Sequence, residues 1–147
     1  MKIKLDRKLD RTSKQMAKSV AEMMIKHFDI DIWHLDILIT EYENVEGLTL
    51  FADGYARVEI ASHLRGCDLI STMIHEMVHV WQHARGDLES SESGFTWKGI
   101  EFKIKSTEDM INLENSQYRA LPWEAEAYTL EEQIMQELNF YLTSNDA

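Results

Sequence analysis

The sequence reads Ser71-Thr72-Met73-Ile74-His75-Glu76-Met77-Val78-His79-Val80-Trp81-Gln82-His83, and this stretch contains the pattern H-E-x-x-H. Residues four apart lie on the same face of an α-helix. His75 and His79 would therefore direct two imidazoles at one point, which suits two of the ligands of a tetrahedral zinc ion. Glu76 lies beside that point, where it can accept a proton from a metal-activated water and pass it to a leaving amine.

An amphipathic core helix with two partly exposed histidines is the plain alternative for this stretch. Asp68 is a residue type that caps helix N-termini, and Gly86 is the type that follows helix C-termini, so the motif falls in mid-helix. Two metal-free histidines facing a core would need buried partners for their ring nitrogens. The context therefore favours the metal-binding interpretation.

Composition sets the broad class of the protein. The chain has 147 residues, 44% of them apolar and 28% charged, which is typical of one globular domain over residues 1–147. It contains no apolar run long enough to cross a membrane and no N-terminal segment resembling a secretory signal. A single cysteine, Cys67, fits a reducing compartment, so we expect a cytoplasmic protein. The net charge of −11 argues against nucleic acid as a partner.

Hydrophobic periodicity and turn residues divide the rest of the chain into helices and strands. We expect a first helix, capped by Thr12 or Ser13, to about residue 27, and a last helix over residues 121–142. Strands are expected over residues 33–42, 48–52 and 55–61, the last two forming a hairpin around Asp53-Gly54. The motif helix between Asp68 and Gly86 follows. The sequence thus predicts an α+β fold with a small antiparallel or mixed sheet.

The segment between the motif helix and the last helix has weaker patterns. Residues 87–94 are rich in serine and glutamate and are expected to form an exposed loop. Residues 95–104 alternate around a glycine, which indicates a strand pair or a bent strand. Residues 110–113 can form a short helical turn.

A hydrolytic zinc site keeps three protein ligands and one open position, so a third ligand must come from elsewhere. The candidates are His83, Glu124, Glu126 and, more distantly, His63. His83 follows His79 by four residues, but three helical residues at this spacing climb along the axis and do not converge on one ion. Glu124 and Glu126 start a separate helix and point about 200° apart, so only one can reach the metal. Periodicity barely separates them, although Glu126 is slightly nearer the apolar stripe.

Three pieces of the sequence together resemble a known family. They are His75-Glu76-Met77-Val78-His79-Val80-Trp81-Gln82, Trp97-Lys98-Gly99 and Leu121-Pro122-Trp123-Glu124-Ala125-Glu126-Ala127. In this order they resemble small SprT-like peptidases, many of them encoded by bacteriophages, within the gluzincin branch of the zincins. The resemblance covers roughly residues 35 to 135. It implies a minimal zincin-like fold, a zinc-dependent metallopeptidase, a peptide or protein substrate and, for a phage protein, the host cytoplasm.

The resemblance also implies roles for particular residues. In gluzincins and ImmA/IrrE-like relatives, a small residue and an Asp or Asn follow the ligand glutamate by three and four residues. This pattern favours Glu124 as the third ligand and Ala127 as a close helix contact, with Tyr128 in the place of the acid or amide. Tyr128 could supply an oxygen that orients a ligand histidine. By the same resemblance, the strand at residues 55–61 would be an edge that pairs with an extended substrate.

Several points stay open at this level. Tyr118, Tyr128, His83 and Arg119 are all chemically able to stabilise an oxyanion. Trp97 and Lys98 can form one lip of a cleft, although a packed tryptophan is the commoner role. The alternatives to an enzyme are a zincin-fold binding module without turnover and a metal-free helical protein.

Overall fold

The computed structural model describes residues 1–92, 94–104, 113 and 115–146. Its strands are β1 (Lys2–Leu5), β2 (His34–Ile39), β3 (Gly47–Ala52), β4 (Tyr55–Ile60), β5 (Leu88–Ser91), β6 (Gly94–Trp97) and β7 (Ile100–Phe102). Its helices are α1 (Arg11–Phe28), α2 (Gly66–Ala84), α3 (Asn115–Ala120) and α4 (Pro122–Asp146). Within the described residues, the mixture of helices with a mixed sheet and a small antiparallel sheet confirms the predicted α+β class.

The larger sheet has the strand order β1-β2-β4-β3. β1 and β4 run parallel to β2, whereas β3 and β4 form the predicted antiparallel hairpin around Asp53-Gly54. Asp53 and Gly54 both have positive φ, as a tight hairpin turn requires. The expectation that residues 55–61 form a free edge is wrong, because β4 is paired on both sides. The edge strands of this sheet are β1 and β3, and β3 is the one that lines the cleft described below.

The main core lies between this sheet and the two long helices α1 and α2. Leu35 and Ile37 of β2 point into it, and so does Val58 of β4. Buried and half-buried residues alternate along β4, which is the period-two pattern of a sheet covered on one face, whereas in β2 Asp36 between Leu35 and Ile37 is also buried. The sheet thereby gives α2 a rigid base, with β3 running alongside it.

The ends of α1 and α2 differ in detail from the sequence-based expectations. Asp10, and neither Thr12 nor Ser13, caps α1, because its Oδ1 accepts a hydrogen bond of 2.8 Å from the Ser13 N–H. α2 begins at Gly66, two residues before Asp68, which lies in the first turn and is not the cap. Gly86 follows the end of α2 with φ 85°, as expected for a helix terminator.

A second, three-stranded antiparallel sheet follows α2 in the order β5-β6-β7. The expected loop over residues 87–94 is therefore partly wrong, because β5 occupies Leu88–Ser91 and pairs with β6. The expected strand pair over residues 95–104 is confirmed as β6 and β7. Leu88 and Trp97 of this sheet enclose Trp123 of α4 in a second small core, so the sheet holds the start of α4 in place.

The C-terminal part of the chain consists of the short helix α3 and the long helix α4. α4 begins at Pro122, close to the predicted start, whereas α3 and the N-terminal strand β1 were not anticipated. The turn predicted around residues 110–113 lies largely outside the described residues. Among the described helices, none has both the length and the apolar character needed to span a membrane.

Candidate metal centre

Three side chains from two helices meet at the junction of α2 and α4. One ligand atom from each of His75, His79 and Glu124 lies within 4.8 Å of the other two. All three side chains are buried, and only 1% of the Glu124 surface remains exposed. Glu124 directs one oxygen at each ring, with Oε1 2.9 Å from His75 Nε2 and Oε2 3.0 Å from His79 Nε2.

The packing of α4 on α2 selects Glu124 over Glu126. Trp123 is fixed in the small core, and Ala127 is fully buried in the main core. With both residues held, Glu124 between them faces the histidines. Glu126 points away and pairs with Arg85, whose Nη2 lies 2.6 Å from Glu126 Oε1. Because this choice depends on contacts between helices distant in sequence, periodicity within α4 did not reveal it.

The donor set suits a zinc ion. Two imidazole nitrogens and a carboxylate are the protein ligands that zinc takes in hydrolytic sites. His79 Nε2 is close to Glu124 Oε2, but the two are not aligned for a hydrogen bond, and this buried nitrogen has no hydrogen-bond partner. A buried nitrogen without a partner is costly, and a bound cation shared with the carboxylate would satisfy it.

Glu124 and His79 each stabilise the charged form of the other. Burial raises the pKa of Glu124, but the positive charge of His79 and the hydrogen bond from His75 outweigh it and lower the pKa to about 2. Burial lowers the pKa of His79, yet the adjacent Glu124 carboxylate raises it to about 9. The buried Glu124 carboxylate therefore favours a positive charge beside it, which is the property that a metal-binding cluster needs.

Glu76 lies beside the cluster and is held by the edge strand β3. The Thr49 hydroxyl donates a hydrogen bond of 2.8 Å to Glu76 Oε1. Gly47 leaves room for the carboxylate, since a Cβ at that position would lie 2.7 Å from Glu76 Oε2. Burial raises the pKa of Glu76 above its ordinary value, and the nearby histidines offset this rise only in part. β3 thus fixes the carboxylate that the sequence assigned as the general base.

Two further residues contact the histidines and were missed in the sequence. Gln82, fully buried in α2, bonds to His79 Nδ1 at 2.8 Å. Glu131 of α4 places Oε1 3.9 Å from His75 Nδ1, which is too long for a hydrogen bond. Gln82 follows His79 by three residues and Glu131 follows Glu124 by seven, so each lies on the same helix face as the candidate ligand before it. That spacing alone was too common to single them out.

The remaining sequence candidates divide into residues that line the cleft and residues that do not. The cleft above the three-residue cluster has a volume of about 660 Å³ and is lined by Tyr118, Tyr128, His83 and Arg119. All four candidates for oxyanion stabilisation therefore face the same space. His63 is exposed and outside the cluster, and Trp97 is buried in the small core, which supports its packing role.

Three of these four candidates make contacts that involve an aromatic ring. The Tyr128 ring packs against the His75 ring with centroids 4.4 Å apart, and the Arg119 guanidinium lies 4.3 Å from the centre of the Tyr128 ring. His83 stacks on Phe51 of β3 at 5.2 Å, and burial lowers its pKa to about 4. Tyr128 therefore contacts the histidine with its ring, and His83 is neutral near pH 7.

A scan against protein-family models, a search of curated proteins and a search of solved structures each returned no match for this chain.

Proposed function

We propose that this protein is a zinc-dependent hydrolase, most specifically a metallopeptidase with a zincin-like fold that resembles the SprT-like peptidases. The observation that carries this proposal is the buried group of His75, His79 and Glu124 at the base of a cleft, with the Glu76 carboxylate beside it. This set combines the ligands of a hydrolytic zinc site with a general base, and it opens onto a space that a substrate can enter.

The chain's own residues would divide the chemistry between them. His75, His79 and Glu124 would hold the metal, which when bound supplies a Lewis acid that polarises a carbonyl and makes water more acidic. Glu76 accepts one proton from the attacking water as the water oxygen bonds to the scissile carbonyl carbon. Glu76 then returns this proton to the nitrogen of the leaving amine as the C–N bond breaks.

The shape of the cleft suits an extended peptide or a segment of a protein. Edge strand β3 lines the cleft, and the small sheet also contributes to its lining through Ser90 and Phe95. An extended substrate can add to an exposed strand edge through main-chain hydrogen bonds. The net charge of −11 disfavours nucleic acid as the substrate, and the single exposed Cys67 suits a reducing compartment such as the cytoplasm.

The decisive test of hydrolysis is the Glu76→Gln variant with zinc restored. We expect the wild-type protein to cleave at least one member of a panel of unstructured proteins and peptide libraries, as read by mass spectrometry. Because Glu76 moves the proton and is not among the ligands, Glu76→Gln should retain zinc and lose at least about 100-fold in rate.

The matched control is Glu22→Gln, which changes an exposed glutamate on α1 far from the cleft and should leave the rate unchanged. Cleavage that persists at the wild-type rate in Glu76→Gln would contradict the proposal. A wild-type protein that binds zinc and cleaves nothing would indicate a binding module without turnover.

A further inference from the structure

Gln82 connects the candidate metal ligand His79 to a polar network behind it. Its side chain is fully buried, and its Oε1 lies 2.8 Å from His79 Nδ1. Its Nε2 lies 3.0 Å from the backbone oxygen of Trp123 and 3.0 Å from Glu126 Oε1. One amide therefore joins a ligand on α2 to the first turn of α4, one residue before Glu124.

The orientation of this amide follows from counting donors and acceptors. The Trp123 carbonyl and the Glu126 carboxylate accept hydrogen bonds and do not donate them. They must face the NH₂ group of Gln82, so its oxygen must face His79. An oxygen can only accept, and His79 Nδ1 must then carry a proton and donate it. The other ring nitrogen of His79, Nε2, is the one that faces Glu124.

The network makes the opposite orientation of the amide unfavourable. Glu126 is fixed by Arg85, whose guanidinium lies 3.7 Å from the centre of the Trp81 ring and whose Nε is 2.6 Å from Asp87 Oδ2. Flipping the amide would place its oxygen against two acceptors and its NH₂ group against the Nδ1 proton. Buried groups left unpaired in this way cost much more than exposed ones.

We propose that Gln82 is a positioning residue that fixes the ring orientation and tautomer of His79, so that Nε2 is the atom offered to the metal. This role rests on the metal site put forward above. His75 differs, because its Nδ1 has no hydrogen-bond partner among the described residues. The two histidines are therefore held unequally, because within the described part of the chain only His79 has a hydrogen bond at Nδ1, the ring nitrogen on the side away from Glu124.

The first test compares zinc affinity in two Gln82 variants by competition with a chelating dye. Gln82→Met has a similar length and lacks the acceptor, so it should bind zinc about 10–100-fold more weakly. Gln82→Glu keeps an oxygen for His79 Nδ1 but loses the donors to Trp123 and Glu126. It should stay within about threefold of the wild-type affinity although its melting temperature falls.

The matched control is Val80→Ala, which removes buried volume from α2 without removing a polar contact. It should lower the melting temperature and leave zinc affinity within about threefold of wild type. If Gln82→Met and Gln82→Glu lose affinity equally, or if affinity follows melting temperature across all three variants, Gln82 is only structural and the proposal is overturned.

The second test uses the wild-type protein and so does not depend on the variants folding. Nitrogen-15 NMR of the zinc-loaded protein should show His79 with a protonated Nδ1 and a zinc-bound Nε2. Zinc on Nδ1 of His79 would overturn the proposal while leaving the metal site intact. A wild-type protein that binds no zinc would overturn the proposed function itself, so the two failures can be told apart.

Discussion

The position of Glu76 depends on the absence of a side chain at Gly47. A Cβ at Gly47 would lie 2.7 Å from Glu76 Oε2 and 2.9 Å from both its Cγ and its Cδ. Gly47 is not among the glycines with positive φ, so space and not backbone conformation is the reason for glycine here. The strand edge and the carboxylate are thus in direct contact.

Gly47→Ala should therefore displace Glu76 without disturbing the three candidate metal ligands. We expect the hydrolytic rate to fall at least about tenfold, because a general base must lie within hydrogen-bonding reach of the proton it accepts. Zinc stoichiometry should be unchanged, which provides the control. A variant with the wild-type rate would show that the Glu76 position in this structure is not the one used in catalysis.

Residues within one helix were the most predictable part of the site. The spacing of His75 and His79 fixes a shared face, and α2 forms over both as expected. The position of Glu124 beside the two histidines depends on how α4 packs on α2. Periodicity alone slightly favoured Glu126. The Thr49 contact joins residues 27 apart in sequence, and no local pattern carries such information.

At the scale of secondary structure elements, the start of α1 shows how a cap is chosen. Thr12, Ser13 and Asp10 are all capping residue types, and sequence patterns favoured the first two. The structure selects Asp10, whose carboxylate accepts from the Ser13 N–H three residues on. Ser13 is itself buried, so its side chain faces the core at the first turn.

Asp10→Ala should lower the melting temperature by about 2–4 °C, because it leaves a helix N–H without its partner. Thr12→Ala is the matched control and should change the melting temperature by less than about 1 °C, since Thr12 is exposed and is not the cap. Thermal unfolding followed by circular dichroism measures both. A larger loss in Thr12→Ala than in Asp10→Ala would contradict the assignment.

The same cap predicts a dependence on pH. The Ser13 backbone hydrogen bond lowers the pKa of Asp10 below its ordinary value of 3.8. A carboxyl whose pKa is lower in the folded state stabilises the protein above the ordinary value and loses this effect as pH falls through the folded value. The wild type should therefore lose its melting-temperature advantage over Asp10→Asn as the pH falls below about 4.

The least predictable elements are those whose partners are distant or whose composition is polar. β5, Leu88–Ser91, contains two serines and a glutamate, so its sequence alone favours a loop. It becomes a strand because β6 pairs with it and Leu88 packs into the small core. By contrast, the β3–β4 hairpin was clear from Asp53-Gly54, because positive φ at both turn residues limits the choice of amino acids.

At the scale of the whole molecule, the order of the strands decides which strand edge would meet the proposed substrate. The resemblance to zincins implied that the strand before the motif helix would be the edge. β4 instead lies between its parallel neighbour β2 and its hairpin partner β3. The hairpin therefore places β3 outermost, where Gly47 and Thr49 hold Glu76 and the cleft begins. The α+β class followed from element patterns, but this order needed the tertiary structure.

Metal binding at this site would also stabilise the whole chain. A ligand that binds only the folded state stabilises it by about 2.7 kcal/mol when present at 100 times its dissociation constant. Because the two histidines and Glu124 come from α2 and α4, zinc would join these helices. Zinc should therefore raise the melting temperature of the metal-free protein, and a chelator should reverse the change.

The most direct test is zinc stoichiometry, measured by titration calorimetry on chelator-treated protein and by elemental analysis of the refilled sample. We expect about one zinc ion per chain in the wild type and in Glu126→Gln, which keeps an oxygen acceptor for Gln82. Glu124→Gln should lose tight binding. A wild-type chain that takes up no stoichiometric zinc, or binding lost in Glu126→Gln and kept in Glu124→Gln, would contradict the metal centre assigned to His75, His79 and Glu124.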